Sequence, residues 1–133
     1  RDPSDMLPSF AKVIKDPTMA DVGYEAHIDL LDSLLKRGIE PIILDSKKLL
    51  LNPRAELTRL CDLAGIAFDD KMLKWDAGAR AEDGVWSEYW YSGTHQSTGF
   101  QKYIPKAEPF PNELLPLLKA CQPCYDILIN RIN

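Results

Sequence analysis

The chain has no apolar run approaching the ~20 residues that a membrane-spanning helix needs, and it opens with no basic-then-apolar leader. It also lacks a surplus of positive charge. Sixteen Lys and Arg stand against 20 Asp and Glu, for a net charge of −4, which argues against a general nucleic-acid binder while leaving room for a local basic pocket. Cysteine is scarce: Cys61, Cys121 and Cys124 make an odd count, which without a secretory signal favours reduced thiols and a cytoplasmic home. Cys121-Gln-Pro-Cys124 has the spacing of a redox or half-zinc motif. With no second cysteine pair, paired histidine or βαβ frame to complete such a site, the reading is packing cysteines and no metal. No internal repeat or low-complexity linker divides the chain. It begins with Arg rather than Met, directly at a functional-looking stretch, so an N-terminal part is expected to be missing.

What is present fits one ordinary domain, or the C-terminal portion of a larger one, over residues 1–133. Asp2 is a good N-cap, Pro3 suits the first helical position, and Asp5 sets negative charge at the positive end of the helix dipole. Pro17 then breaks the helix. Val22, Ala26, Leu30 and Leu34, widened by Leu31 and Leu35, form the clearest amphipathic helix, closed by Gly38, with His27 at the edge of its apolar stripe. Pro41 to Asp45 is short and continuously apolar, the pattern of a buried parallel strand. It is the one convincing strand, and a strand needs neighbours to pair its edges. A helix from about Pro53 ends at Gly65, and a short one near Phe68–Trp75 is capped by Asp69 or Asp70. Trp86, Tyr89 and Trp90 have helical spacing and read as core, whereas residues 93–100 read as a polar loop in which His95 is a wall residue or base. The Pro-punctuated tail carries helices near 113–120 and 123–132, with Pro123 in the first turn of the second.

The candidate for chemistry is the opening stretch. A helix start beside the Arg1 guanidinium suits an anion. Ser9 lies about 10 Å further along at ~1.5 Å per residue, within reach of a ligand shared with an extended Arg1 side chain. A plainer arrangement, with Arg1 paired to Asp5 and Ser9 an ordinary helix residue, stays open.

Arg1-Asp2-Pro3 followed by Ser9 resembles the 3′-phosphate-binding segment of the sulfotransferases. Those enzymes use 3′-phosphoadenosine 5′-phosphosulfate, and the resemblance implies that Arg1 and Ser9 hold its 3′-phosphate. Asn52-Pro53 and its helix, Met72-Leu73-Lys74-Trp75, Gly84-Val85-Trp86 and Ser97-Thr98-Gly99-Phe100 follow in an order similar to one branch of that family. The family's closing loop, aligned on Gly84-Val85-Trp86, puts Arg80 where a lysine grips the same phosphate, with Ala79 and Ala81 departing from the pattern. Ser46-Lys47-Lys48-Leu49 lacks the aromatic that lies near adenine in many members. The implied fold is α/β, a P-loop NTPase-like sulfotransferase fold of which this chain is the mostly helical C-terminal part with one parallel strand at about 41–45. The implied reaction is sulfuryl transfer to a hydroxyl or amine of a small-molecule acceptor, and nucleic acid and membrane are not expected partners. No Gly-x-x-x-x-Gly-Lys pattern occurs, so the phosphate loop and the catalytic base are expected upstream, and these residues alone should not turn over. A non-catalytic helical interaction domain and a P-loop kinase relative are the alternatives.

Overall fold

The computed structural model describes residues 1–132. It is mostly helical, with α1 (Pro3–Phe10), α2 (Met19–Val22), α3 (Tyr24–Lys36), α4 (Ser46–Leu51), α5 (Pro53–Ala64), α6 (Ser87–Trp90), α7 (Ser92–His95) and α8 (Leu115–Ile129). Single 3₁₀ turns lie at Asp70–Leu73, Ala81–Asp83 and Asn112–Leu114. Two compact units result: Arg1–Lys47 with Ile104–Asn133, and Lys48–Tyr103. No described helix is long and apolar enough to cross a membrane.

In the first unit α8 packs against α1, α2 and α3. Leu7, Tyr24, Leu31, Leu114 and Cys121 form its buried centre, joined by Pro3. Full burial of one such leucine stabilises by about 1.5–3 kcal/mol, so this centre holds α1 to the unit. Asp2 caps α1 as expected, accepting from the Ser4 backbone N–H at 2.8 Å and its hydroxyl at 2.6 Å. The expected second helix is two. α2 ends at Gly23, whose φ of +72° turns the chain before α3 begins. The end of α3 is a Schellman motif, with Gly38 N–H bonded to the Leu35 carbonyl at 2.9 Å and Ile39 N–H to the Leu34 carbonyl at 3.0 Å.

Three expectations need correction. The strand at 41–45 does not form: residues 39–45 lie outside helix and sheet, and the described residues hold only one isolated bridge, Lys74 with Gly99. A strand is a paired structure, and no second apolar strand is present here to share its ladder. The two tail helices are one, α8, with Pro123 inside it rather than in its first turn. Pro123 is exposed; it removes its own N–H from the ladder and its ring crowds the Lys119 carbonyl, a cost offset by the apolar side that buries Cys121. Finally, Trp86, Tyr89 and Trp90 are not core, being 69%, 66% and 41% exposed. α6 is a single turn, too short for a helical stripe to find a facing surface.

The second unit is built on α5, which packs against the 3₁₀ turn Asp70–Leu73. Asn52 caps α5, its side chain accepting from Ala55 N–H at 3.2 Å, with Pro53 at the first helical position and Gly65 in the left-handed region at its end. Cys61 is buried, its Sγ 3.8 Å from Met72 Sδ. The polar stretch 93–100 is pinned rather than loose. Trp75 N–H donates to the Thr98 carbonyl at 3.2 Å, its indole N–H to Ser97 Oγ at 3.0 Å, and Phe100 meets its ring edge-on with centroids 5.2 Å apart.

Candidate functional site

Arg1 and Ser9 both belong to the first unit, one just before α1 and one near its end. The Arg1 backbone is held from outside its own helix. The Tyr24 hydroxyl donates to the Arg1 carbonyl at 2.7 Å, and Tyr24 itself is only 5% exposed. Burial, reinforced by the neighbouring Cys121, Asp2 and Asp45 groups against the opposing pull of Arg1, pushes this phenol well above its ordinary range. It therefore stays a donor at any working pH, and Arg1 is anchored where the chain enters the helix.

Ser9 is held from much farther away. Lys106, 97 residues on, donates from Nζ to Ser9 Oγ at 2.8 Å. The Lys106 ammonium is held below its usual range, first by desolvation and then by the positive charges of Arg1 and Lys12, against the opposing pull of Asp5 and Glu108. One ammonium thus meets the serine hydroxyl at the α1 end of this unit, in surroundings that carry charges of both signs.

Beside this cluster lies a cavity of about 410 Å³. Arg1, Tyr24, Asp45 and Tyr125 contribute its polar groups, and Leu31 and Leu128 are among its apolar ones. Asp45 is 3% exposed, and its carboxylate accepts from Tyr125 Oη at 3.1 Å and Lys47 N–H at 3.0 Å. Burial, with the Asp45 charge adding to it, pushes the Tyr125 phenol far up as well, so that bond keeps its direction. His27 lines the same cavity and is exposed.

Arg80 is exposed in the second unit. It lines a broad cleft of about 1290 Å³ that also carries Arg54, Lys71, Lys74, Trp75 and Phe100. Arg54 pairs with Asp70 at 2.5 Å and lies over the Phe68 ring. The Arg80 backbone N–H donates to Asp83 Oδ2 at 2.8 Å, and His95 Nε2 lies 2.9 Å from the same oxygen. These contacts, the backbone bond first, hold the Asp83 carboxyl below the usual range. His95 is thereby engaged with a carboxylate of its own unit. The cysteines sit as packing groups: Cys121 is fully buried, its Sγ 3.5 Å from Met19 Sδ, and burial raises its thiol.

The structure thus gathers Lys106 onto Ser9, near enough to Arg1 to feel its charge, and sets Arg80 on a separate cleft in the other unit. Reasoning from sequence missed Lys106, Tyr24, Asp45 and Tyr125. Lys106 follows Pro105 in a tail without periodicity, and nothing local ties it to a serine 97 residues earlier. Asp45 was visible, but as the end of an apolar run, and nothing near Tyr24 in the sequence ties it to Arg1.

Comparison with known proteins places these features in a family. Two curated relatives from Arabidopsis thaliana, named branched-chain-amino-acid aminotransferase-like protein 2 and branched-chain-amino-acid aminotransferase-like protein 1, are each 38% identical to the chain. The first match covers 96% of this chain and 23% of that protein, the second 100% and 24%. The chain therefore spans about a quarter of the length of the curated relatives it matches. No solved structure matches it. The family model described as a sulfotransferase domain matches residues 1–132, and the chain belongs to that family.

Proposed function

We propose that the complete protein is a sulfotransferase whose donor is 3′-phosphoadenosine 5′-phosphosulfate, and that Arg1 and Ser9 hold the donor's 3′-phosphate. What supports this reading is the geometry at α1: the Arg1 backbone held by the Tyr24 hydroxyl where the chain enters the helix, and a lysine ammonium on the Ser9 hydroxyl near its end. Arg80, on the second unit's own cleft, is proposed as a donor-binding residue on the resemblance of its loop alone. In the transfer, an acceptor hydroxyl or amine forms a bond to sulfur as the bond from sulfur to the bridging phosphate oxygen breaks, and the acceptor's proton passes to a base. The reaction resembles phosphoryl transfer, in which the protein supplies position and charge stabilisation. The base and the phosphate loop are proposed to precede Arg1 in the complete protein. The residues described here bind and orient one end of the donor. The aminotransferase-like name belongs to the Arabidopsis proteins, and the segment shared with them is the one that the sulfotransferase model matches.

The test is calorimetric titration of the complete protein with adenosine 3′,5′-bisphosphate and adenosine 5′-monophosphate. Arg1→Ala is expected to weaken the bisphosphate by about 2 kcal/mol or more and to leave the monophosphate nearly unchanged, as for the loss of a charge-assisted bond. Arg80→Ala should weaken the bisphosphate in the same sense. Equal loss for both nucleotides on replacing Arg1, or no preference for the bisphosphate in the unmodified protein, rejects the assignment.

A further inference from the structure

Residues 78–82 are all exposed, so no buried side chain of their own fixes them. Glycines with positive φ bound the segment, Gly78 at +128° and Gly84 at +72°, and such positions leave a chain free to swing. Hydrogen bonds hold it instead, and His95 supplies one at each end. Its carbonyl accepts from Gly78 N–H at 2.7 Å, and its Nε2 lies 2.9 Å from Asp83 Oδ2. An ionised carboxylate only accepts, so Nε2 is the donor. The same Oδ2 also takes the Arg80 backbone N–H at 2.8 Å.

His95 is in turn tied to the wall of the cleft. Ser97, only 7% exposed, donates from Oγ to the Thr94 carbonyl at 2.7 Å and accepts from the Trp75 indole N–H at 3.0 Å. Trp75 and Arg80 both line that cleft. A continuous run of contacts therefore leads from the wall at Trp75, through Ser97, Thr94 and His95, to Asp83 and back to the cleft at Arg80.

We propose that His95 is a positioning residue: acting through Asp83 and its own carbonyl, it holds residues 78–83 so that Arg80 stays on the cleft beside Trp75, placed to meet an anionic group of the nucleotide donor. The proposal rests on the reading of Arg80 as a donor-binding residue, and it adds the residue that sets where Arg80 stands.

The experiment uses the complete protein and adenosine 3′,5′-bisphosphate, with amide hydrogen exchange beside calorimetry. His95→Leu removes the side-chain donor, whereas His95→Gln keeps an N–H near the Nε2 position. His95→Leu is expected to speed exchange of the Arg80 amide about tenfold, since opening of the segment then costs less. It should also weaken the bisphosphate about threefold or more, because a loop that presents Arg80 for only part of the time binds in proportion to that part. His95→Gln should restore most of both, which mere filling of space by leucine does not. In a cycle with Arg80→Ala the two losses should be less than additive, as the histidine acts through the arginine. Equal melting temperatures show that the variants are folded. Should His95→Leu not fold, Asp83→Ala severs the same link at its other end and decides in its place. If Arg80→Ala weakens the bisphosphate and His95→Leu does not, the positioning role is refuted and the reading of Arg80 stands. If Arg80→Ala leaves the bisphosphate unchanged, both fall together.

Discussion

Two tyrosines carry different weights although each donates a single bond. Tyr24 donates to the Arg1 carbonyl, a neutral acceptor at an exposed residue, so Tyr24→Phe should cost about 1 kcal/mol of stability. Tyr125 donates to Asp45, a carboxylate that is 3% exposed. Tyr125→Phe leaves that charge one donor short in a buried place and should cost about 1–3 kcal/mol. Urea denaturation of the two variants ranks them, and a larger loss for Tyr24→Phe would contradict the weight given to Asp45. Tyr24→Phe should also weaken adenosine 3′,5′-bisphosphate, since it frees the backbone that presents the Arg1 side chain. Neither bond was legible in the sequence, because each joins residues far apart along the chain: 23 positions for Tyr24 with Arg1 and 80 for Tyr125 with Asp45.

The elements show how local chemistry sets boundaries while packing sets their fate. α2 begins at Thr18 with a capping box: the Asp21 carboxylate accepts from the Thr18 backbone N–H at 2.8 Å and from its hydroxyl at 2.6 Å. Those bonds, the hydroxyl first, lower the Asp21 pKa. A lowered carboxyl pKa contributes stability that is present above the unfolded-state value and lost as pH falls through the folded one. Thr18→Ala should therefore move the Asp21 titration back up toward the ordinary aspartate range in a carboxyl-carbon NMR experiment, and an unmoved titration would deny the hydroxyl its part. In the second unit the bridge of Lys74 with Gly99 is the sheet-like contact that ties residues 93–100 to Trp75. A Cβ at Gly99 would stand 3.0 Å from the Leu73 carbonyl oxygen, a backbone atom that cannot swing aside. Gly99→Ala should cost about 1–3 kcal/mol and alter the Trp75 fluorescence, whereas a neutral result would mean that the bridge yields easily.

Across the whole molecule the buried groups are unevenly shared. Leu7, Tyr24, Leu31, Leu114 and Cys121 lie in the first unit, whereas Cys61 is the one buried apolar residue of the second among the described residues. Regions with few buried contacts open at lower free energy than a packed centre. Native-state hydrogen exchange is thus expected to protect the amides of α3 and α8 more strongly than those of α6 and α7. Uniform protection along the chain would count against a difference in stability between the units. Trp86, Val85 and Tyr89, each more than half exposed, belong to the region expected to exchange first.

By itself the sequence determined several helix ends, those set by a cap or a glycine, and to which family the chain has its likeness. Asp2-Pro3, Asn52-Pro53, Asp69, Gly38 and Gly65 act through bonds and backbone angles a few residues long, so their effects can be read without knowing the fold. The Arg1 to Ser9 spacing is a local fact of the same kind. Tertiary structure decided what local pattern cannot carry: that Lys106 meets Ser9, that Tyr24 holds Arg1, that Pro123 is absorbed into one long helix, and that the aromatic turn stays exposed. The strand expected at 41–45 shows the same division. Its composition is written in five residues, but a ladder requires a second strand, and sequence pattern alone supplies only one side of that bond.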